Sequence, residues 1–224
     1  MDVHATALAY LRAGLAVLPA TRRLLGREWP REDGAKMRID RCLIDANWGS
    51  STDLVYQFCR ESDFSAMLLP SHGRFVGASS VPFGEYRRKP GDRMGLNWRI
   101  PNVQGKRVVR HVVFDTNFWK SFVNARLGVS MGDRGCLALF GETPVTHRLL
   151  AEHITAEYRV KTQGRGRTVD EWKVRMSAVD NHWLDCLVGC AVAASIQGAT
   201  LPGMDVFVAV RKSRVKLSEL QRKR

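Results

Sequence analysis

Residues 180–198 read DNHWLDCLVGCAVAASIQG, and this stretch decides the fold. Asp180 or Asn181 can cap the start of a helix, and Gly198 can close its end. Small and apolar residues fill most positions between them, which predicts a helix buried on most sides. Asp185 interrupts this pattern in the first turn. Two interpretations stay open: a divalent metal meets the carboxylate, or the carboxylate faces outward and complements the helix dipole.

Composition favours one globular domain with a polyanionic partner. The chain has 224 residues, of which 45% are hydrophobic and 25% charged, and its formal net charge is +13. Such a positive excess indicates nucleic acid before membrane. The five cysteines include no C-x-x-C pair, so neither a zinc site nor a disulfide framework is indicated. Without a signal-peptide pattern or a membrane-length apolar run, we expect a cytoplasmic protein that does not enter a membrane.

Periodicity along the chain predicts an α/β domain. We expect an N-terminal helical segment over 1–36, the main domain over 37–200, and a short strand with a basic tail over 201–224. The predicted helices are 4–25, 52–62, 118–127 and 147–154, and the predicted strands are 37–46, 66–70, 95–101, 108–114, 136–140, 155–162, 169–175 and 206–210. The strand–helix–strand order of 37–70 indicates that part of the sheet is parallel.

Basic residues concentrate in a loop and hairpin over 74–110. Nine Lys or Arg stand there against Glu85 and Asp92, with aromatic residues between them, which favours contact with a DNA backbone over a solvated hairpin tip. The candidate DNA-binding residues are Arg87, Arg88, Lys89, Lys120, Arg165 and Arg167. Lys120 reaches either a phosphate or solvent, and the turn that carries Arg165 and Arg167 is equally compatible with DNA contact and with a plain hairpin.

Two carboxylates stand out as candidate metal ligands and catalytic residues. Asp45 ends an apolar strand and Asp185 begins the helix of 180–198, and sites in α/β sheets form at the carboxyl ends of strands. Two neighbouring acids repel unless a cation neutralises them, and Mg²⁺ or Mn²⁺ prefers oxygen ligands. Two such ions can activate water and stabilise the leaving oxygen of a phosphodiester. Asp180 and Asp115 are reserve ligands, although Asp115 is more simply a helix cap.

Several sequence blocks carry a family resemblance. They are Ile44–Gly49, Val55–Arg60, Phe114–Lys120, Glu152–Tyr158, Gly164–Trp172 and Asp180–Cys186. In these blocks the chain resembles the C-terminal nuclease region of the large subunit of phage DNA-packaging terminases, the lambda-like GpA family. The resemblance covers roughly residues 38–200. Its order and density make it far more specific than any single motif.

The resemblance implies an RNase H-like fold, a mixed sheet flanked by helices, with an acidic cluster that binds two divalent metals. Asp45 matches the acid on the family's second acidic strand, and Asp185 matches the acid at the start of its last helix. It further implies an endonuclease that cuts concatemeric double-stranded DNA during genome packaging in the bacterial host cytoplasm. Its partners would be a small terminase subunit and a portal.

The same resemblance leaves parts of the family pattern unmatched. Neither the packaging ATPase nor the first acidic strand has a counterpart, so we expect a chain truncated at its N-terminus relative to the family. One alternative is a catalytically incomplete, prophage-derived DNA-binding remnant of the same fold. Another is a resolvase-type nuclease that acts on branched DNA.

Overall fold

A five-stranded mixed sheet is the centre of the molecule. The computed structural model describes residues 23–31, 33–47, 49, 52–102, 109–139, 143–176 and 180–202. A short antiparallel pair, β1 (Trp29–Pro30) and β2 (Lys36–Met37), precedes the sheet. The five strands are β3 (Cys42–Asp45), β4 (Leu68–Arg74), β5 (Arg93–Gly95), β6 (Trp98–Ile100) and β7 (Val112–Asp115). Their spatial order is β3-β4-β7-β6-β5, with β3, β4 and β7 parallel and β6 and β5 antiparallel.

Helices cover both faces of this sheet. Helix α1 (Thr52–Glu61) packs on one face, and α2 (Thr116–Leu127) and α4 (His182–Ile196) pack together on the other. Between them in the chain come the short helix α3 (Arg148–Ile154) and a hairpin of β8 (Glu157–Gly164) and β9 (Arg167–Val174). The predicted fold class is confirmed: the protein is α/β, with a mixed sheet flanked by helices, consistent with an RNase H-like fold.

Side chains alternate between the two faces of β3, and this alternation positions Asp45. Ile44 belongs to the core under α1, whereas Leu43 packs against the core that α2 and α4 share. Successive strand residues point to opposite faces, so Asp45 lies on the face of Leu43. The apolar centre of that face includes the fully buried Trp119 and Val112. Asp45 therefore stands on the helix α4 side, at the carboxyl end of its strand.

Helix α4 runs along the sheet from the carboxyl-terminal edge to the amino-terminal edge. Its last turn lies near the start of β3, where Arg41 Nη2 donates to Gln197 Oε1 over 3.5 Å. One face is buried through Leu184, Val188 and Val192. The prediction of burial on most sides was wrong, because Cys186 and Cys190 on another face are exposed. Gly198 closes the helix with φ of +83°, as predicted, a conformation that favours glycine.

Several predicted boundaries differ from the structure. The strand predicted over 37–46 divides into β2 and β3, and the strand predicted to end at Pro70 continues to Arg74 because Pro70 sits inside a parallel ladder opposite Ile44. Residues 136–139 of the predicted strand 136–140 are not a strand; Leu137 instead donates its N–H to Arg126 O and packs against the core. Helices α1, α2 and α3 and the β8–β9 hairpin confirm their predictions to within a few residues.

Some predictions fall outside the described residues. Of the helix predicted over 4–25, only 23–25 are described, and these are helical. The strand predicted over 206–210 and the basic tail after it lie wholly outside. No helix in the described ranges has both the length and the apolar composition needed to cross a lipid bilayer.

Candidate functional site

Asp45 lies at the carboxyl-terminal edge of the sheet with its side chain exposed. Its Oδ1 accepts a hydrogen bond from the backbone N–H of Asn47 over 3.1 Å. The Asn47 side chain is held in turn, since its Nδ2 donates to Gly73 O over 3.0 Å. The turn after β3 is thereby attached to the end of the neighbouring strand. This attachment fixes the backbone that orients the Asp45 carboxylate.

His72 completes the support of this turn. Its Nδ1 lies 2.8 Å from Asn47 Oδ1, and its Nε2 lies 2.9 Å from the hydroxyl of Tyr56 on α1. Partial burial lowers the pKa of His72, and the nearby Asp45 carboxylate opposes this shift. The ring is therefore neutral at pH 7, with Nδ1–H donating to Asn47 and Nε2 accepting from Tyr56 as the tautomer that satisfies both partners. A hydrogen-bonded chain from Tyr56 to Asp45 results.

His111 stacks edge-on against His72, with ring centroids 5.2 Å apart. Burial, followed by the repulsion of His72 and Arg99, lowers the pKa of His111 to about 4. Its Nδ1 is buried without a hydrogen-bond partner in the described structure. This ring is held neutral and packs behind the chain that supports Asp45.

Asp115 caps helix α2, as the sequence predicts. Its Oδ1 accepts from the backbone N–H groups of Asn117 and Phe118, over 3.0 and 3.3 Å. Burial raises the pKa of Asp115 to about 6, against the opposing pull of these two N–H groups and of Arg167. One carboxylate oxygen is thus committed to the helix start, which satisfies backbone donors that the helix itself leaves unpaired.

Asp185 meets a cation from its own chain. The Lys120 ammonium on α2 lies 3.0 Å from Asp185 Oδ1 and 2.5 Å from Glu157 Oε1 on β8. Asn181 Nδ2 donates to the same Glu157 oxygen over 2.5 Å. The side chain of Glu157 is 3% exposed and that of Lys120 11%, whereas that of Asp185 is 52% exposed. We call these four side chains the Lys120 network.

The Lys120 network changes two predictions. Lys120 was expected to reach a phosphate or solvent, but the structure buries it between two carboxylates. Asp185 was expected to meet a divalent metal or to face outward and complement the helix dipole; in the structure its side chain is half exposed and pairs with an ammonium group. Asn181 stands at the start of α4 but makes no side-chain capping bond, because its amide donates to Glu157. The reserve ligand Asp180 pairs with His182 Nε2 over 2.8 Å.

The three basic residues of the predicted DNA-binding loop, Arg87, Arg88 and Lys89, are exposed. Asp92 fastens this loop, since its Oδ2 accepts from Lys89 N–H over 2.9 Å and its Oδ1 from Asn102 N–H over 2.7 Å. Arg88 keeps a second role in the loop through a bond from Nε to Asp92 O. Three cations are thereby presented to solvent on a loop with a defined base.

The hairpin tip separates its two predicted DNA-binding arginines. Arg165 and Gly166 form the two-residue turn with φ of +50° and +70°, and Arg165 is exposed. Arg167 is partly buried, and its Nη2 donates to the carbonyl oxygens of Gly77, Ala78 and Ser80. Arg167 therefore fastens the hairpin to the segment after β4, and only Arg165 of the pair points away from the fold.

The predicted two-metal centre is not assembled by the described residues. Within these ranges no three or more His, Cys, Asp or Glu side chains are grouped so as to hold a metal ion. Asp185 already faces the Lys120 ammonium, and Asp115 already accepts two backbone N–H groups. This donor set does not fit a two-metal cluster, so we derive no metal-dependent step from it.

Sequence reasoning missed Glu157 and Asn117. Glu157 reads locally as one residue of an alternating strand, and only its tertiary contact with Lys120 identifies it. Asn117 is buried in the first turn of α2, where its Nδ2 donates to Val76 O and its Oδ1 accepts from Trp172 N–H. A polar residue following a predicted N-cap was the one signal for Asn117. Both residues join the hairpin to α2 and so place the Lys120 network.

Comparison with known proteins identifies a family. A sequence model of the family described as terminase large subunit gpA, endonuclease domain, matches residues 9–205 of the chain. No curated protein and no solved structure matched.

Proposed function

The chain belongs to the family of the terminase large subunit gpA endonuclease domain, and from this premise we propose that it cleaves double-stranded DNA during phage genome packaging. The match over residues 9–205 is the observation that carries the proposal. The proposed substrate is concatemeric DNA in the bacterial host cytoplasm, and the proposed partners are a small terminase subunit and a portal. The net charge of +13 suits such a substrate, because cationic side chains neutralise backbone phosphates.

The proposed catalytic edge is the carboxyl-terminal edge of the sheet. Asp45 is exposed there, and the chain of Tyr56, His72 and Asn47 orients it. Asp185 lies in the first turn of α4, 3.0 Å from Lys120 of α2, the helix that begins directly after β7, and it is half exposed. A phosphodiester that reached this edge would meet accessible carboxylates of the predicted set, since Asp45, Asp185 and the reserve residue Asp180 are exposed and only Asp115 is buried. The Mg²⁺ or Mn²⁺ requirement follows from the family resemblance alone and is tested with the activity.

Contact with DNA is proposed for the exposed cations. Four cationic side chains of the predicted DNA-binding set are exposed to solvent. Three lie on the loop fastened by Asp92, and one lies at the hairpin tip: Arg87, Arg88, Lys89 and Arg165. Lys120 and Arg167 are not included among the phosphate contacts, because one is buried in the Lys120 network and the other bonds three carbonyl oxygens. Binding by the exposed set should weaken steeply with salt, since each phosphate contact releases counterions.

A plasmid-nicking assay tests the proposed function. The chain is incubated with supercoiled DNA in Mg²⁺ or Mn²⁺, with EDTA as the metal-removed control, and compared with Asp45→Asn and Asp185→Asn. Each substitution should slow nicking by about a hundredfold or more, the scale of losing one charged group from a transition state. DNA affinity measured by fluorescence anisotropy should stay within about twofold, because neither carboxylate is proposed to bind phosphate directly. Asp63→Asn, another exposed aspartate, is the matched control.

The outcomes separate the enzyme from its main alternative. Nicking by Asp185→Asn at the wild-type rate would show that Asp185 has no catalytic role. A wild-type chain that binds DNA with steep salt dependence but nicks nothing would be a DNA-binding remnant of the fold. The contact between Lys120 and Asp185 favours this second candidate function, because an internal ammonium already neutralises the carboxylate.

A further inference from the structure

A cavity opens at the opposite edge of the sheet from Asp45 and Asp115. Its volume is about 230 Å³, and its walls come from the starts of three parallel strands. Arg41 directly precedes β3, Leu68 begins β4, and Arg110 stands just before β7. Ile196, in the last turn of α4, closes one side. Arg41 lies four residues before Asp45 in the chain, and Arg110 lies five residues before Asp115.

Three arginines from separate elements converge on this cavity. Arg41 precedes β3, Arg93 begins β5, and Arg110 precedes β7. No Asp or Glu occurs among the described residues that line it. Like charges that line one cavity repel one another, and among the described lining residues nothing anionic offsets that cost. An arrangement of this kind is stabilised by an anion that enters from solvent.

Arg41 is fixed in place while keeping unused bonding capacity. Its Nη1 donates to Ala66 O over 3.1 Å, and its Nη2 approaches Gln197 Oε1 at 3.5 Å. Its Nε is buried and has no hydrogen-bond partner in the described structure. A buried guanidinium N–H that lacks a partner is costly, so a ligand that supplies an acceptor would be bound favourably.

Helix α4 explains only one of these arginines. Its carboxyl end carries a partial negative charge, and Arg41 beside Gln197 complements it. Arg93 and Arg110 lie on other elements and are exposed. The helix end therefore explains the position of Arg41. It does not explain why Arg93 and Arg110 also line the cavity.

We propose that this cavity is a phosphate-binding site. Guanidinium groups match phosphate oxygens with paired N–H donors, and three of them can surround one tetrahedral anion. Buried apolar side chains, those of Leu68, Leu69 and Ile100, form part of the wall and strengthen charge attraction by limiting water. The Ser65 hydroxyl is a further donor in the lining. The ligand is a phosphate group, which a DNA backbone, a free phosphate ion and a nucleotide all carry.

Titration with inorganic phosphate tests the site on the full chain. Calorimetry and thermal unfolding are followed in phosphate and in sodium chloride of equal ionic strength. The wild type should bind phosphate in a one-to-one ratio and unfold at a higher temperature than in chloride. Arg93→Gln combined with Arg110→Gln should weaken phosphate binding about tenfold or more, because two charged donors are lost. Both side chains are exposed, so this variant should fold.

A charge-matched variant and a DNA measurement complete the design. Arg134→Gln combined with Lys173→Gln also removes two exposed cations, outside the cavity, and should leave phosphate binding unchanged. If the cavity variant also loses more affinity for a short DNA duplex than the matched variant, the natural ligand is a backbone phosphate. If its DNA affinity falls only as far as that of the matched variant, the ligand is a free phosphate or nucleotide. No phosphate effect beyond that of chloride, or equal loss in both variants, would overturn the proposal.

Discussion

The two edges of one sheet treat charge in opposite ways. At the start of α4, two carboxylates, Glu157 and Asp185, share a lysine supplied by the same chain. At the far edge, Arg41, Arg93 and Arg110 line a cavity whose described lining contains no acid. The first edge is neutralised from within, and the second needs an anion from outside. The protein has a net charge of +13, but where an anionic or cationic ligand would bind depends on which charged side chains lack a partner of opposite sign.

This difference matters for the proposed nuclease. The resemblance implies an acidic edge that attracts metal ions, yet the carboxylate that it singles out in α4 already faces an ammonium. Asp45 differs, because it ends a strand, its Oδ1 accepts a hydrogen bond from a backbone N–H, and its side chain is exposed. The two predicted catalytic carboxylates thus stand in unlike surroundings. Lys120 is the residue on which that contrast depends.

The largest effect is expected from Lys120→Met. Among the described residues, the substitution leaves Glu157, 3% exposed, with Asn181 as its remaining side-chain donor, and it removes the cation that pairs with Asp185. Breaking one side of a buried ion pair typically lowers the free energy of unfolding by about 3–5 kcal/mol. Urea unfolding followed by tryptophan fluorescence measures the loss. Adding Glu157→Gln should recover part of it, because the unpaired buried charge is then removed.

A smaller effect is expected from protonating His111, whose ring packs against His72. Its pKa is about 4 in the fold against a reference of 6.5, so the unfolded chain binds this proton more readily. The stabilisation is fully present above pH 6.5 and is lost as the pH falls toward 4. Because the ring is partly exposed, we expect the loss to be about 1–2 kcal/mol. His111→Gln should show a correspondingly shallower fall between pH 7 and pH 4.5 in urea unfolding.

The smallest effect is expected from the cavity variant, Arg93→Gln with Arg110→Gln, in the absence of phosphate. Removing two exposed cations that repel each other should change the free energy of unfolding by no more than about 0.5 kcal/mol, and toward stabilisation. A loss above 1–2 kcal/mol would mean that these arginines support the fold itself. The arginines at this edge would then be structural, as Lys120 is, and the two edges would not differ in how their charges are used.

Much of this fold could be predicted from local pattern. Asp115 followed by a helical period gave α2, and a glycine–arginine turn between alternating runs gave the hairpin. The apolar run that predicted a strand over 66–70 ends at Pro70, but β4 continues to Arg74, because pairing with the parallel neighbours extends the strand into polar residues. The apolar run at 136–139 met core side chains and no strand partner. The apolar pattern of a segment predicts which face of an element a residue occupies. It does not predict which residue it will contact.

The candidate site shows the same limit. Asp45 and Asp185 were predicted from their positions at element ends, and the structure has Asp45 as the last residue of β3 and Asp185 in the first turn of α4. Their partners could not be predicted, because Lys120, Glu157 and Asp185 are brought together by packing of three distant segments. The local sequence does not distinguish Lys120 from a solvent-exposed lysine on a helix. Its burial follows from the hairpin that Asn117 and Trp172 join to α2.

The most direct test of the central claim, that Asp185 is neutralised by Lys120, is a double-mutant cycle. The free energy of unfolding is measured by urea denaturation for the wild type, Lys120→Met, Asp185→Asn and the double variant. We predict a coupling free energy of about 1 kcal/mol or more, because the two groups lie in direct contact and Lys120 is shielded from water. Additive effects, within about 0.3 kcal/mol, would contradict the claim and leave Asp185 available to an external cation.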